Sequence, residues 1–503
     1  LNSTADGAGA LRLGLLLFFA VLALSLPQAV SLPLLDRDEP RFAEASREMK
    51  QGGDWIVPTF NGAPRYAKPP LIYWCQAAAF ALLGENPLAA RLPSLLATAA
   101  TALLLFYRGT NLGGTRCGMI AALAFAFCFQ TMQQGRVATA DALLVFFMTL
   151  TIMSGGKLLG LILGFDIPTS AAEGSRRWIF WGGVLALAFA GGFLAKGPVA
   201  WLPLVPIMIG ARKGGPRVLG AIAAIFALGL LIVSAWAIPA WIETHGDYWR
   251  EGLGHDVGDR MVSGNFQGHG ASTFGWYLLG LPFYLLTFWL STLPWSLLLL
   301  SRWHRLLAGW KFDAIDTYVL LNAALIFVVF TLMVTKLPHY TLPGLPLLAL
   351  IFARRWIAVG LPARLPINFS WTFGVVLALL AVGAGIVTVR TGESCSPVGR
   401  LVQQARPLLA PETKFALVDF QEPNAIWEMR RAVRADGATI PDNEVIAYLQ
   451  EPGPRAVVLS TKLWNPLAAS ADPGWKIFHA RGWNAAKLTG LDLTLVVKSN
   501  RTN

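Results

Sequence analysis

Asp38-Glu39-Pro40-Arg41 follows directly on the first uncharged run of the chain, Leu13 to Leu35, a run long enough to cross a bilayer. Ionisable residues at a membrane surface are costly and usually have a task. A carboxylate at the rim of a water-filled cavity can act as a general base or bind a divalent metal. The same acids also suit the start of a helix, with Asp36, Asp38 and Glu39 ahead of Phe42-Ala43-Glu44-Ala45. Further along the same loop, Arg65-Tyr66-Ala67-Lys68-Pro69-Pro70 pairs an arginine fork with a lysine point charge. Such a pair can neutralise a phosphate, or it can anchor the chain at the interface with the help of Tyr66.

Asp141 opens an apolar run after Ala138-Thr139-Ala140, and a lone carboxylate at membrane depth points to function or to helix capping. Lys196, in Ala195-Lys196-Gly197-Pro198, lies between two apolar segments and can snorkel to the interface or meet a ligand. The loop 241–272 holds His245, Asp247, His255, Asp256, Asp259, Arg260 and His269, whose spacings match no compact zinc motif. Tyr340, in Lys336-Leu337-Pro338-His339-Tyr340, can hydrogen-bond a sugar or phosphate, or join an aromatic belt.

These residues need a membrane scaffold to position them, and the composition supplies one. Of 503 residues, 55% are hydrophobic and 14% charged, with mean hydropathy +0.52. Soluble domains carry about 25% charged residues. The chain reads as a polytopic α-helical membrane protein, and no run of short alternating segments favours a β-barrel. Net charge +12 falls largely in short loops between apolar runs, which is membrane topology rather than a nucleic-acid surface. Cys75, Cys117, Cys128 and Cys395 form no metal or disulfide framework. Leu13–Leu26 reads as an uncleaved anchor, since no cleavage pattern follows it.

Apolar runs place spans near 12–35, 91–108, 117–135, 141–163, 178–195, 197–211, 217–240, 273–300, 314–335, 341–358 and 367–390. The stretch 69–84, broken early by Pro69-Pro70, reads as a re-entrant or surface helix. With that parity Arg108 and Arg116, Arg176 and Arg177, Arg212 to Arg217, Arg302 to Lys311, and Arg354 to Arg364 all fall on one face, the cytoplasmic one. The other face receives loop 36–90, Asp141, Lys196, loop 241–272, Tyr340 and the tail. The domains expected are 1–390 in the membrane and 391–503 as a small periplasmic α/β domain. Its strands are expected at Lys414–Phe420, Arg455–Ser460 and Leu491–Lys498, and its helices around Ala425–Val433 and Asn443–Gln450.

Taken together, Asp38-Glu39-Pro40-Arg41-Phe42, Gly53-Asp54-Trp55-Ile56-Val57-Pro58 and Tyr66-Ala67-Lys68-Pro69-Pro70 resemble the first periplasmic loop of the aminoarabinose transferases of lipid A. These ArnT-like enzymes lie within the GT-C glycosyltransferases, as do the protein O-mannosyltransferases. Ala195-Lys196-Gly197-Pro198 and Lys336 to Pro343 are similar to later signatures, so the resemblance covers about residues 12 to 360. It implies a GT-C-like bundle of about 11–13 transmembrane helices. It implies a catalytic role for Asp38 and a second-loop acid at Asp141. By the same resemblance Arg41, Lys68, Lys196 and Arg260 meet the donor phosphate, while Glu39, Tyr66, His255 and Tyr340 line the substrate cavity. One departure stands out: where those enzymes have a glutamate that helps to hold a metal before the Lys-Pro, this chain has Ala67.

The expectation is a multi-pass enzyme of the bacterial inner membrane, its site open to the periplasm. It moves a sugar from a polyprenyl-phosphate donor to lipid A, another glycolipid or a protein, with inversion implied by the resemblance. A divalent metal is left open. The rival readings are a protein O-mannosyltransferase and a transporter or lipid flippase. No internal repeat favours a transporter, and the charges gather at one face rather than at mid-membrane.

Overall fold

A computed structural model of the chain describes residues 3–35, 38–162, 170–252, 254, 274–361, 395–484, 487 and 489–499. The chain divides into two units. The first comprises residues 1–25, 66–72 and 93–371, the second residues 26–65, 73–92 and 372–503. In chain order the first helices are α1 (Ser3–Ser31), α2 (Asp38–Gly52), α3 (Leu71–Leu83), α4 (Pro87–Ala126), α5 (Phe129–Gln134), α6 (Asp141–Ile162), α7 (Ala171–Lys196), α8 (Leu204–Arg212) and α9 (Pro216–Glu243).

Among the described residues, seven helices are long and apolar enough to cross a membrane, or eight with one bent pair counted as a span. The architecture is a polytopic helical bundle, and its details refine the expected spans. The span expected at 91–108 lies in the first half of α4, and that at 117–135 covers its second half and α5; α4 breaks between the two at Gly113-Gly114, where Gly114 takes φ 80°. The stretch 197–211 is shorter than the roughly 20 residues of a straight helical crossing: a 3-10 turn, Pro198–Trp201, leads into the nine-residue α8. The run expected at 273–300 bends by 101° between Gly275–Ser291 and Trp295–Leu307. The 13-residue α3 is likewise too short to cross, as the Pro69-Pro70 interruption predicts. The segment expected at 367–390 lies outside the described residues.

Close packing in the first unit depends on small residues. A Cβ on Gly191 of α7 would meet the Phe147 ring of α6 at 2.5 Å, so only glycine lets these two helices approach. The core joins Phe106, Phe125, Met148, Ile326 and Leu347, all nearly inaccessible.

The second unit holds a short hairpin and a mixed sheet. Strands β1 (Thr59–Phe60) and β2 (Ala63–Pro64) pair antiparallel across Asn61-Gly62, both at positive φ. In the tail, β3 (Lys414–Leu417), β4 (Gly437–Thr439), β5 (Arg455–Ser460), β6 (Lys476–Asn484) and β7 (Thr489–Lys498) form one sheet of order β4-β3-β5-β7-β6. β3 is parallel to β4 and β5, while β7 is antiparallel to β5 and β6. Three of these strands lie where the sequence predicts strands. The short β4 and the largely exposed β6 are additions, and a half-exposed strand carries a weak apolar signal. Helices Pro423–Arg430 and Val445–Gln450 match the two predicted.

Contacts bind this tail to the first loop. Asn61 receives a hydrogen bond from Gly437 N at 2.7 Å and donates to Gly437 O at 2.8 Å, acting as a side-chain extension of β4. Asn424 donates to Leu34 O at 2.7 Å. Arg430 pairs with Glu44 at 3.2 Å, with Asp436 at 2.7 Å and with Glu48. The composition change near 391 carries no hint of this partnership.

Candidate active site

In the first unit, Asp141 and Lys196 form an ion pair with both side chains largely buried. Local structure puts each charge where a helix favours it. Asp141 sits in the first turn of α6 and Lys196 in the last turn of α7, so the negative charge meets a helix N-terminus and the positive charge a C-terminus. Gly197, at φ 78°, ends α7 with its N–H on Phe193 O at 2.7 Å, and Pro198 prevents continuation. The Thr139 hydroxyl donates to Asp141 at 3.0 Å and holds the second carboxylate oxygen. Lys196 Nζ stands 5.7 Å from the centre of the Tyr340 ring, within cation–π range, and His339 meets that ring edge-on at 5.1 Å. Asp141, Lys196 and Tyr340, three of the residues singled out in the sequence, thus come together although up to 199 positions separate them.

The flanking signature residues are fixed by backbone. Lys336 Nζ donates to Thr331 O at 2.6 Å and Met333 O at 2.7 Å, closing the C-terminal end of the Ala314–Leu332 helix. Burial pulls its ammonium below the ordinary lysine value. Tyr284 donates to Leu337 O at 3.2 Å. Lys68 is half-buried, its Nζ 2.6 Å from Ala67 O, and its own carbonyl accepts from the Tyr248 hydroxyl at 2.5 Å. Tyr66 packs against the Tyr248 ring at 5.3 Å, and burial with the carboxylates Asp247 and Glu251 raises its phenol above the usual tyrosine value. Tyr248, which the sequence reading passed over, is the buried post that holds this lysine loop.

In the second unit Asp38 is exposed at the first turn of α2, and Arg41 is half-buried on the same turn. Glu39, expected at the substrate, is instead inside the protein. Its two oxygens take Arg91 Nε at 2.8 Å and Nη2 at 2.7 Å, and one also accepts Leu35 N at 2.9 Å. Arg91 reaches further, to Ala29 O at 3.0 Å, Leu32 O at 2.7 Å and Pro33 O at 2.8 Å. The sequence reading missed Arg91. Its signal was available: an arginine at the start of an apolar run is a charge that needs a partner.

Arg260 and His255 lie outside the described residues. Among the described residues no three His, Cys, Asp or Glu side chains converge to hold a metal, and the position of the family's glutamate is Ala67.

Several helices of membrane-crossing length, with a charged pair at adjacent helix ends and a small mixed sheet in the C-terminal sequence, define a polytopic helical membrane protein. The model of the dolichyl-phosphate-mannose-protein mannosyltransferase family matches residues 10–245. The undecaprenyl phosphate-alpha-4-amino-4-deoxy-L-arabinose arabinosyl transferase of Pseudomonas aeruginosa is 31% identical over 69% of this chain and 60% of its own length. That of Edwardsiella ictaluri is 30% identical over 63% of this chain and 54% of its own. The crystal structure of ArnT from Cupriavidus metallidurans bound to undecaprenyl phosphate superposes with TM-score 0.70 at 19% identity, over 96% of this chain and 97% of that one. The chain is thus similar in sequence to the aminoarabinose transferases and in fold to ArnT. It spans little more than half the length of those two curated relatives.

Proposed function

We propose that this chain transfers a sugar from a polyprenyl-phosphate carrier to lipid A or another glycolipid acceptor at the periplasmic face of the inner membrane. The observation that carries the reading is the Asp141–Lys196 pair under Tyr340, in a chain whose relatives are named as undecaprenyl phosphate-aminoarabinose transferases. The orientation follows from the basic loops, which belong on the cytoplasmic side.

In the reaction the bond between the anomeric carbon and the carrier phosphate breaks, and its electron pair leaves with the phosphate. The acceptor oxygen forms the new bond from the opposite side, giving inversion. The developing charge on the phosphate calls for preorganised cations in a site poor in water. Lys196 fills that role, held at its place by Asp141, and Lys68 is the second cation, assigned on its motif. Where the acceptor is a hydroxyl, its proton passes to a carboxylate, and Asp38 is the residue assigned. Where the acceptor is a phosphate oxygen of lipid A, no proton need be removed, and Asp38 orients the acceptor.

The match to the mannosyltransferase family model supports one second reading, a protein acceptor. The test is purified protein with labelled undecaprenyl-phosphate sugars and either lipid A or a Ser/Thr-rich peptide. Label in the lipid fraction supports the proposal, label in the peptide fraction the second reading. No glycosyl product from either acceptor refutes both.

A further inference from the structure

Within the second unit a cavity of about 540 Å³ opens between the end of α1, the turn before α4 and the Pro397–Ala405 helix. The sequence of that helix sets its two faces. Val398, Leu401, Val402 and Ala405 are buried in the core beside the sheet, while Gly399, Gln403 and Arg406 recur at the spacing of one face and line the cavity. The lining carries three guanidiniums and two carboxylates, and each carboxylate has a cation of its own. Glu85 pairs with Lys50 at 3.2 Å, and Glu428 with Arg431 at 3.0 Å. Arg400 and Arg406 are left without a carboxylate among the described residues. Arg400 gives one N–H to Arg481 O, but its Nε is buried with no hydrogen-bond partner. Such an orphan on a cavity-lining side chain calls for an explanation, and an anionic ligand supplies one. Another part of the wall belongs to a membrane helix. Val30, in the last turn of α1, lines the cavity and is 57% exposed, and Leu26, one turn earlier, is 39% exposed. α1 is of membrane-crossing length, so the cavity stands where the apolar run ends. Leu32 and Pro33 continue this wall, their carbonyls held by Arg91 at 2.7 and 2.8 Å, the same arginine that fixes Glu39 beside Asp38. Pro33 and Asp38 are five residues apart, at most about 18 Å along the chain.

We infer that this cavity holds the phosphorylated headgroup of the acceptor glycolipid, its phosphate on Arg400 and Arg406 and its acyl chains running down past Val30 and Leu26. The inference rests on the glycolipid-transfer reading above. An arginine fork matches a phosphate, with two parallel N–H···O bonds. Gln403, between the two arginines on the helix, offers a donor and an acceptor to a sugar hydroxyl. A cleft of roughly 300–1,000 Å³ encloses a drug-sized ligand, so a bare phosphate would leave most of this one empty. The exposed apolar side chains at the end of α1 favour a lipid over a soluble sugar phosphate. A headgroup bound here is held within one short stretch of chain of Asp38, the residue assigned to meet its reactive oxygen.

The test is native mass spectrometry of the full chain released from phosphatidylcholine nanodiscs, with lipid A or phosphatidylglycerol added and no donor present. The wild type is expected to retain lipid A above either phospholipid. Each interfacial cation contributes roughly a five-fold factor to binding, so R400Q/R406Q is expected to bind lipid A about 30-fold more weakly. In the transfer assay the same variant should raise the apparent KM for lipid A by a like factor and leave the donor KM unchanged. K414Q/R434Q removes two exposed charges of the same domain outside the cavity, and is expected to behave as wild type. Equal loss in the two double variants, or phosphatidylglycerol retained as strongly as lipid A, overturns the inference. Thermal stabilisation by inorganic phosphate with no lipid A retained overturns it too. Wild-type retention that depends on the two arginines, without any glycosyl product, supports the headgroup site and refutes the transfer reading. If R400Q/R406Q fails to fold, R406Q alone, at an exposed side chain, is expected to weaken binding about five-fold, and unchanged binding there is equally contrary.

Discussion

Replacing Arg91 by methionine separates two tasks that one side chain performs. The guanidinium has five N–H donors, and all five are used: two on Glu39, three on the carbonyls of Ala29, Leu32 and Pro33. It thereby ties the end of α1 to the start of α2, one residue from Asp38. Methionine is close in length, so little cavity forms, but Glu39 is left as an unpaired carboxylate with only 4% of its side chain exposed. Removing one partner of such a pair costs about 3–5 kcal/mol, a large fraction of the roughly 5–15 kcal/mol that holds a typical domain. Adding Glu39→Gln removes the buried charge while keeping an acceptor for Leu35 N, and most of the lost stability should return. The three carbonyls stay unclamped in the double variant, and a shift of about 1 Å at Asp38 costs roughly 100-fold in rate. The assays are thermal unfolding in detergent and transfer from a labelled polyprenyl-phosphate sugar. The expected pattern is an unstable single variant and a stable, slow double variant. Wild-type stability in Arg91→Met, or wild-type transfer in the double variant, refutes the clamp.

Four further outcomes follow from the same geometry. Lys196→Ala should lower kcat about 100- to 1,000-fold with membrane insertion intact, because it removes a cation from the leaving phosphate; an unchanged rate would assign Lys196 to snorkelling alone. Asp38→Asn should abolish transfer to a hydroxyl acceptor while protein levels stay near normal, and normal turnover would leave Asp38 as a helix-end charge only. Lys68→Ala should raise the donor concentration needed and slow transfer, whereas equal rates at every donor concentration would make it an interfacial anchor. Burial raises the Glu44 carboxyl from 4.5 to about 7 against the pull of Arg47 and Arg430, so the folded chain holds a proton there that the unfolded chain releases. That contribution to stability is complete at low pH and fades as pH rises between the two values; Glu44→Gln should flatten thermal stability between about pH 5 and pH 8, and an identical pH profile would refute the assignment.

How far the sequence carries depends on the kind of signal. The long apolar runs and basic short loops predict α6, α7, α9 and the Ala314–Leu332 helix closely, because hydropathy reports the solvent around a helix. It reports breaks poorly. The 3-10 turn after Lys196 and the 101° bend before Trp295 follow from local backbone chemistry inside apolar sequence, and both disappear in an averaged run. Of the site, Asp141, Lys196 and Tyr340 stood out as polar groups at apolar segment ends. Arg91 and Tyr248 did not, since their value lies in partners 52 to 180 residues away. The burial of α2 is legible only from the tail. Glu44 and Arg47 look like the solvated face of a surface helix, yet both are fully buried, with Trp427 stacked 5.0 Å from the Arg47 guanidinium.

The two buried ion pairs, Arg91–Glu39 and Asp141–Lys196, differ in what they leave over. Arg91 and Glu39 saturate each other and their surroundings: every guanidinium donor has an acceptor, so no further anion can be bound without displacing one. A closed pair of this kind holds a backbone in place. Lys196 differs. Among the described residues its ammonium gives one of three donors to Asp141 and leans its charge over Tyr340, which accepts no N–H along a fixed line. Two donors remain for an incoming phosphate, and the side chain is only partly accessible, so water competes weakly for them. Asp141 serves this open pair in a second way. It offsets the cost of holding an ammonium in a site that water barely reaches, and Thr139 keeps its carboxylate from swinging to follow the lysine when a ligand arrives. Charge, partial burial and unused donors coincide at Lys196, and that coincidence, rather than the presence of an ion pair, is why the leaving phosphate is assigned there.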